Sequence, residues 1–117
     1  MDARFKVFRN GSGKLRVWPP VGFANKPTWP GASRVVFENS VNDTLVFEDT
    51  DGALEGSSPG QPFEVPAQST QGFDVARSVV PGNAYVFTIV SPIDSEQQQE
   101  RQTLAYVAAN PEIIIVG

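Results

Sequence analysis

"PGNAYVFTIV" (81–90) decides how the rest of the chain is read. Pro-Gly-Asn is turn chemistry: it interrupts what precedes it and supplies a position free to adopt positive φ. The six residues that follow Ala84, "YVFTIV" (85–90), are aromatic or β-branched, which favours a strand. Tyr85, Phe87 and Ile89 fall on one face, and Val86, Thr88 and Val90 on the other. A strand apolar on both faces is expected inside a sheet, and the first set is expected to fill the core. Tyr85 is read as a packed core aromatic rather than a redox group.

Working outward, the same period of two recurs. "RFKVFR" (4–9) and "KLRVW" (14–18) alternate charged and apolar residues around the Gly-rich "NGSG" (10–13), which predicts a first hairpin. "SRVVFEN" (33–39) and "DTLVFED" (43–49) flank a polar turn, with Val35, Phe37, Leu45 and Phe47 expected to face the core. "PFEVPA" (62–67), "QGFDVARSVV" (71–80), "TLAYVA" (103–108) and "EIIIVG" (112–117) read as further strands. "PPVGFANKPTWPG" (19–31) carries four prolines and is expected to be a long loop, because proline cannot donate to a ladder. "TDGALEGSSPGQ" (50–61) is expected to be a polar surface loop. "DSEQQQERQ" (94–102) has helix formers without an apolar stripe, so it reads as an exposed loop. Eight or nine short, evenly spaced strands predict an all-β sandwich or barrel in one domain spanning 1–117.

Composition removes several chemistries. The 117 residues include no Cys and no His, and the single Met is Met1. Disulfides, thiolate nucleophiles, Cys-ligated metals and imidazole proton shuttles are therefore excluded. The net charge of −4, with no basic run, argues against nucleic acid as a partner. No apolar stretch approaches the ~20 residues of a membrane-spanning helix. The N-terminal "MDARFKVFRN" lacks the apolar h-region of a signal peptide.

"VVFEN" (35–39), "PGNAYVF" (81–87) and "PEIIIV" (111–116) occur in the order in which cupredoxins place similar signatures, and the chain resembles that family over roughly 14–117. The resemblance implies an antiparallel Greek-key β-sandwich, with an immunoglobulin-like sandwich as the alternative. It favours an extracytoplasmic setting if Met1 is a start residue added to a mature domain; a cytoplasmic chain is the other reading of this N-terminus. It also implies where copper ligands would stand. The first His position falls near Asp43, the Cys position at Ile89 or Val90, and the second His position at Ile93. A blue-copper centre needs a thiolate and two imidazoles. None is present, so the resemblance is to a cupredoxin-like domain lacking the copper ligands.

Other residues invite a site. Glu48, Asp49, Asp51 and Glu55 in the acidic stretch 48–55 are hard oxygen donors of the kind calcium takes, and "DTDG" is similar to the start of an EF-hand loop. The EF-hand pattern then breaks at Ala53, and solvated surface acids are the competing reading. Trp18 and Trp29 flank the Pro-rich stretch, where they suit either binding hot spots or caps over the open end of a sandwich, the latter preferred. Arg4, Lys6, Arg9, Lys14 and Arg16 form a cationic strip on the first hairpin, suited to protecting an edge or docking an acidic partner. Gln98 lies in the polar stretch 91–103, which reads as a solvated connection or a partner contact. Asn10-Gly-Ser12 and Asn42-Asp-Thr44 match the N-glycosylation pattern. The expectation is a non-catalytic, metal-free interaction or structural module with a protein partner or self-association. A calcium-binding β-domain is the alternative, and a carboxylate-based carbohydrate-active enzyme comes third.

Overall fold

The computed structural model describes residues 1–29, 31–56, 61–92 and 110–117. Nine strands and no helix occur among them: β1 (Ala3–Arg9), β2 (Leu15–Trp18), β3 (Val21–Asn25), β4 (Arg34–Asn39), β5 (Leu45–Asp49), β6 (Pro62–Val65), β7 (Thr70–Asp74), β8 (Ala84–Ser91) and β9 (Glu112–Val116). They form two sheets, ordered β2-β1-β4-β7 and β3-β9-β8-β5-β6. The two stack as a β-sandwich around one apolar cluster.

Alternation sets which side chains enter that cluster. Ala3, Phe5 and Val7 of β1 are buried while Arg4 and Lys6 are exposed. In β8, Tyr85, Phe87 and Ile89 are buried, as the reading of 81–90 expects, and β8 lies inside its sheet between β9 and β5. Phe37 sits at the centre of an aromatic group. Ring centroids of Phe47, Phe63 and Phe87 lie 4.9, 5.4 and 5.4 Å away, and those of Phe5 and Phe73 lie 5.9 and 6.0 Å away. Phe5, Phe37, Phe47 and Phe87 are fully buried, and each contributes roughly 1.5–3 kcal/mol.

Three expectations are corrected. Residues 19–31 are not all loop, because β3 forms within them. It lies at a sheet edge with prolines outside its bounds, where proline is tolerated. Its inward positions are Gly22 and Ala24, so no large residue announces the buried face. A Cβ at Gly22 would lie 3.0 Å from the Ala3 Cβ and 3.1 Å from the Phe5 ring, so the two sheets meet closely there.

The sheets are mixed rather than antiparallel: β1 pairs with β4, and β3 with β9, in parallel. Parallel neighbours need a crossover between them. The chain provides one by leaving the first sheet after β2, running through β3 in the second and returning as β4.

The strand expected over 71–80 stops at Asp74. Val75 N–H donates to the Ser33 carbonyl and Ala76 N–H to the Ala53 carbonyl, so the backbone changes partners there. Val80 N–H then donates to the Tyr85 hydroxyl at 2.9 Å, which gives that buried ring its polar partner. The expectations for 94–102 and 103–108 lie outside the described residues.

Candidate functional site

The outer face of the four-stranded sheet is built by the residues that alternation leaves outside. Register aligns Trp18, Lys6, Glu38 and Thr70 across β2, β1, β4 and β7. The next rungs are Phe8 with Arg16 on one side, and Arg4, Val36 and Gly72 on the other. The sequence places Glu38 here because it neighbours the inward Phe37, and Val36 for the same reason.

Trp18 is 69% exposed. Its ring borders a recess of about 200 Å3 lined by Arg4, Lys6, Pro19, Val36 and Glu38. The Lys6 ammonium stands 3.8 Å from a Glu38 carboxylate oxygen, which also accepts from the Ser40 hydroxyl at 3.1 Å. Both members of this ion pair are about half exposed, and such pairs contribute roughly 0–1 kcal/mol. Arg34 pairs with Asp74 at 3.2 Å further along the sheet. Among the described residues Arg4 has no ion-pair partner, and it borders the recess. An indole face beside unsaturated guanidinium donors suits a ligand that offers both an apolar surface and a carboxylate.

The structure therefore gathers Trp18, Lys6 and Arg16 on one face. Trp29 is 62% exposed but lies in the segment after β3, away from those rungs. The exposure of both indoles corrects the preferred capping role: neither ring closes the core. Arg9 and Lys14 belong to the hairpin tip, where Arg9 pairs with Asp43 at 3.6 Å and donates to the Gly13 carbonyl at 2.8 Å. Gln98 lies outside the described residues.

The acidic stretch behaves differently. Asp49 is 1% exposed, and its two carboxylate oxygens accept from Ala53 N–H and Leu54 N–H, each at 3.0 Å. It folds the turn after β5 back on itself. Glu48 faces outward from β5, while Asp51 and Glu55 are exposed beyond it. No group of three Asp or Glu placed to hold a metal occurs among the described residues. A cleft of about 330 Å3 opens beside this stretch between Leu54, Gln61, Phe63 and Phe73, and Glu55 is the only carboxylate among its described lining residues.

The positions that the resemblance assigns to copper ligands hold other work. The Asp43 carboxylate pairs with Arg9, and Ile89 is fully buried in the core. Val90 is half-buried on the opposite face of β8, and Ile93 lies outside the described residues. No family model matches the chain, and no curated protein matches it.

Proposed function

We propose that this chain is a non-catalytic, metal-free β-sandwich module of cupredoxin-like, Greek-key type, which binds an acidic protein partner on the outer face of its four-stranded sheet. The connectivity supports the fold reading. Passages from β2 to β3, β3 to β4, β4 to β5, β6 to β7 and β7 to β8 each change sheets, as strands of Greek-key sandwiches do.

Trp18 carries the functional reading. A tryptophan 69% exposed on a strand, beside a recess bordered by Arg4 and Lys6, is the residue type and setting of a binding hot spot. The chain is acidic overall, yet six of its nine cations (Arg4, Lys6, Arg9, Lys14, Arg16 and Arg34) belong to β1, β2, their turn and β4. Complementary charge then steers an acidic partner to this face, and a partner carboxylate can replace Glu38 beside Lys6 at small cost.

The test is a fluorescence titration with a glutamate-rich peptide in a Trp29→Phe background, which isolates the Trp18 signal. The expected result is a saturable emission change that weakens with salt and disappears in Lys6→Glu/Arg16→Glu. Unchanged emission, or a change that survives the charge reversal, overturns the reading.

A further inference from the structure

Asn10-Gly11 is the sole Asn-Gly pair in the chain, and the fold displays it at the tip of the β1–β2 hairpin. Asn10 N–H donates to the Lys14 carbonyl and Gly13 N–H to the Asn10 carbonyl, both at 2.9 Å, which closes the turn. The Asn10 side-chain carbonyl oxygen, Oδ1, accepts two further bonds, from Ser12 N–H at 2.9 Å and Lys14 N–H at 3.0 Å. Gly11 itself is exposed, and a Cβ placed on it would meet nothing within 4 Å. No acceptor engages the Gly11 N–H among the described residues.

The geometry points to Asn10 as a site of spontaneous covalent modification, in which the turn cyclises on itself. The Gly11 backbone nitrogen, losing its proton to solvent base, attacks the Asn10 side-chain carbonyl carbon. A C–N bond forms, the side-chain amide nitrogen leaves as ammonia, and a five-membered imide remains. Water then adds to either imide carbonyl and breaks one C–N bond, giving aspartate or isoaspartate. No oxidation state changes.

Each step has support in the turn. Negative charge develops on Oδ1 when the nitrogen adds, and two backbone N–H groups already point at that oxygen, as donors do in an oxyanion hole. The attacking nitrogen is adjacent in the chain, so the step is intramolecular and needs no second molecule to be ordered. Glycine places no side chain in the path. The other asparagines lack this combination. Asn39 is buried, and Asn110 precedes proline, which has no N–H to lose. Asn25, Asn42 and Asn83 precede Lys, Asp and Ala, each bearing a Cβ.

The two products differ in consequence. Aspartate keeps an oxygen at the Oδ1 position and adds a carboxylate near Arg9 and Lys14. Isoaspartate routes the main chain through the side-chain carbon and lengthens the turn by one atom, which disturbs the register that sets Leu15 opposite Arg9.

The folded protein is held at mildly alkaline pH and sampled by peptide mapping, in parallel with the chain unfolded in urea. The expected result is conversion at Asn10 at least tenfold ahead of every other asparagine, rising with pH, and no slower folded than unfolded. Gly11→Ala is expected to slow it more than tenfold, while Asn10→Asp is expected to keep the melting midpoint of the parent. Conversion at Asn10 tenfold slower in the folded protein than in urea, or undiminished in Gly11→Ala, overturns the proposal.

Discussion

β4 and β5 carry nearly the same pattern, "VVFEN" (35–39) and "LVFED" (45–49), and each ends on a buried polar residue. The chemistry at the two ends differs. Asn39 Nδ2 donates to the carbonyls of Asp43, Val65 and Pro66 at 2.8, 3.0 and 3.1 Å, and its Oδ1 accepts from Val41 N–H at 2.9 Å. Asp49 offers only acceptors, and it meets two N–H groups. Leu45 pairs with Val65 and Glu48 with Pro62, so Asn39 works at the Leu45 end of β5 and Asp49 at the other. One end of the core needs a group that both donates and accepts, whereas the other needs a double acceptor. The two side chains are close in shape, so exchange of an oxygen for a nitrogen tests each site with little change in packing.

The largest effect is expected from Asn39→Asp. A carboxylate there would face three carbonyl oxygens with no N–H to offer, inside a water-poor site. A buried charge left without compensation costs roughly 3–5 kcal/mol. Protonation relieves it, since a neutral carboxyl donates one hydrogen bond. The folded-state pKa of the new group is therefore raised, and the loss of stability grows as pH rises above the unfolded value. Urea melts at two pH values check this; a variant equally stable at both would mean that the amide donors are dispensable.

Asp49→Ala comes next, because it strands the Ala53 and Leu54 N–H groups in the core. Each unsatisfied buried donor costs roughly 1–3 kcal/mol. Asp49→Asn keeps one acceptor but turns an NH2 toward the other backbone N–H, so it strands one donor where Asp49→Ala strands two, and it is expected to lose about half as much. A chemical denaturation series ranks the three. Equal stability of Asp49→Ala and Asp49→Asn would show that the carboxylate does not organise the turn.

This pair also shows what the sequence makes legible. Val35, Phe37 and Asn39 share a parity, as do Leu45, Phe47 and Asp49, so the inward aim of both polar residues is written in the period of two. Reading 48–55 as an acidic stretch hides it, because charge and burial parity point to different conclusions for the same residue. The candidate face follows the same rule: Lys6 and Trp18 stand outside because Phe5, Val7 and Val17 stand inside. β3 escapes because parity needs size contrast to be visible, and its inward residues are Gly22 and Ala24. Beyond the β1–β2 hairpin, which the Gly-rich turn at 10–13 announces, the strand order is not legible, since patterning records which face a residue takes and not which neighbour its strand finds. Glu38 joins Lys6 only through that pairing.

The smallest effect is expected from calcium. Calcium takes six to eight oxygens, usually with several carboxylates converging. In 48–55 the most buried carboxylate is Asp49, and a calcium ion would have to compete with Ala53 and Leu54 N–H for its oxygens. Glu48 leaves the opposite side of β5 from Asp49, as strand alternation requires, and cannot converge with it while that strand is intact. Millimolar calcium is therefore expected to leave the melting midpoint within about 1 °C, where 1 kcal/mol of binding would move a domain of this size by roughly 4 °C. A calcium-specific rise beyond that would require the end of β5 to rearrange. Asp49→Asn would then distinguish the cases: a rise retained in the variant places the ion on Asp51 and Glu55, and a rise lost places it on Asp49, at the expense of the turn that this carboxylate now holds.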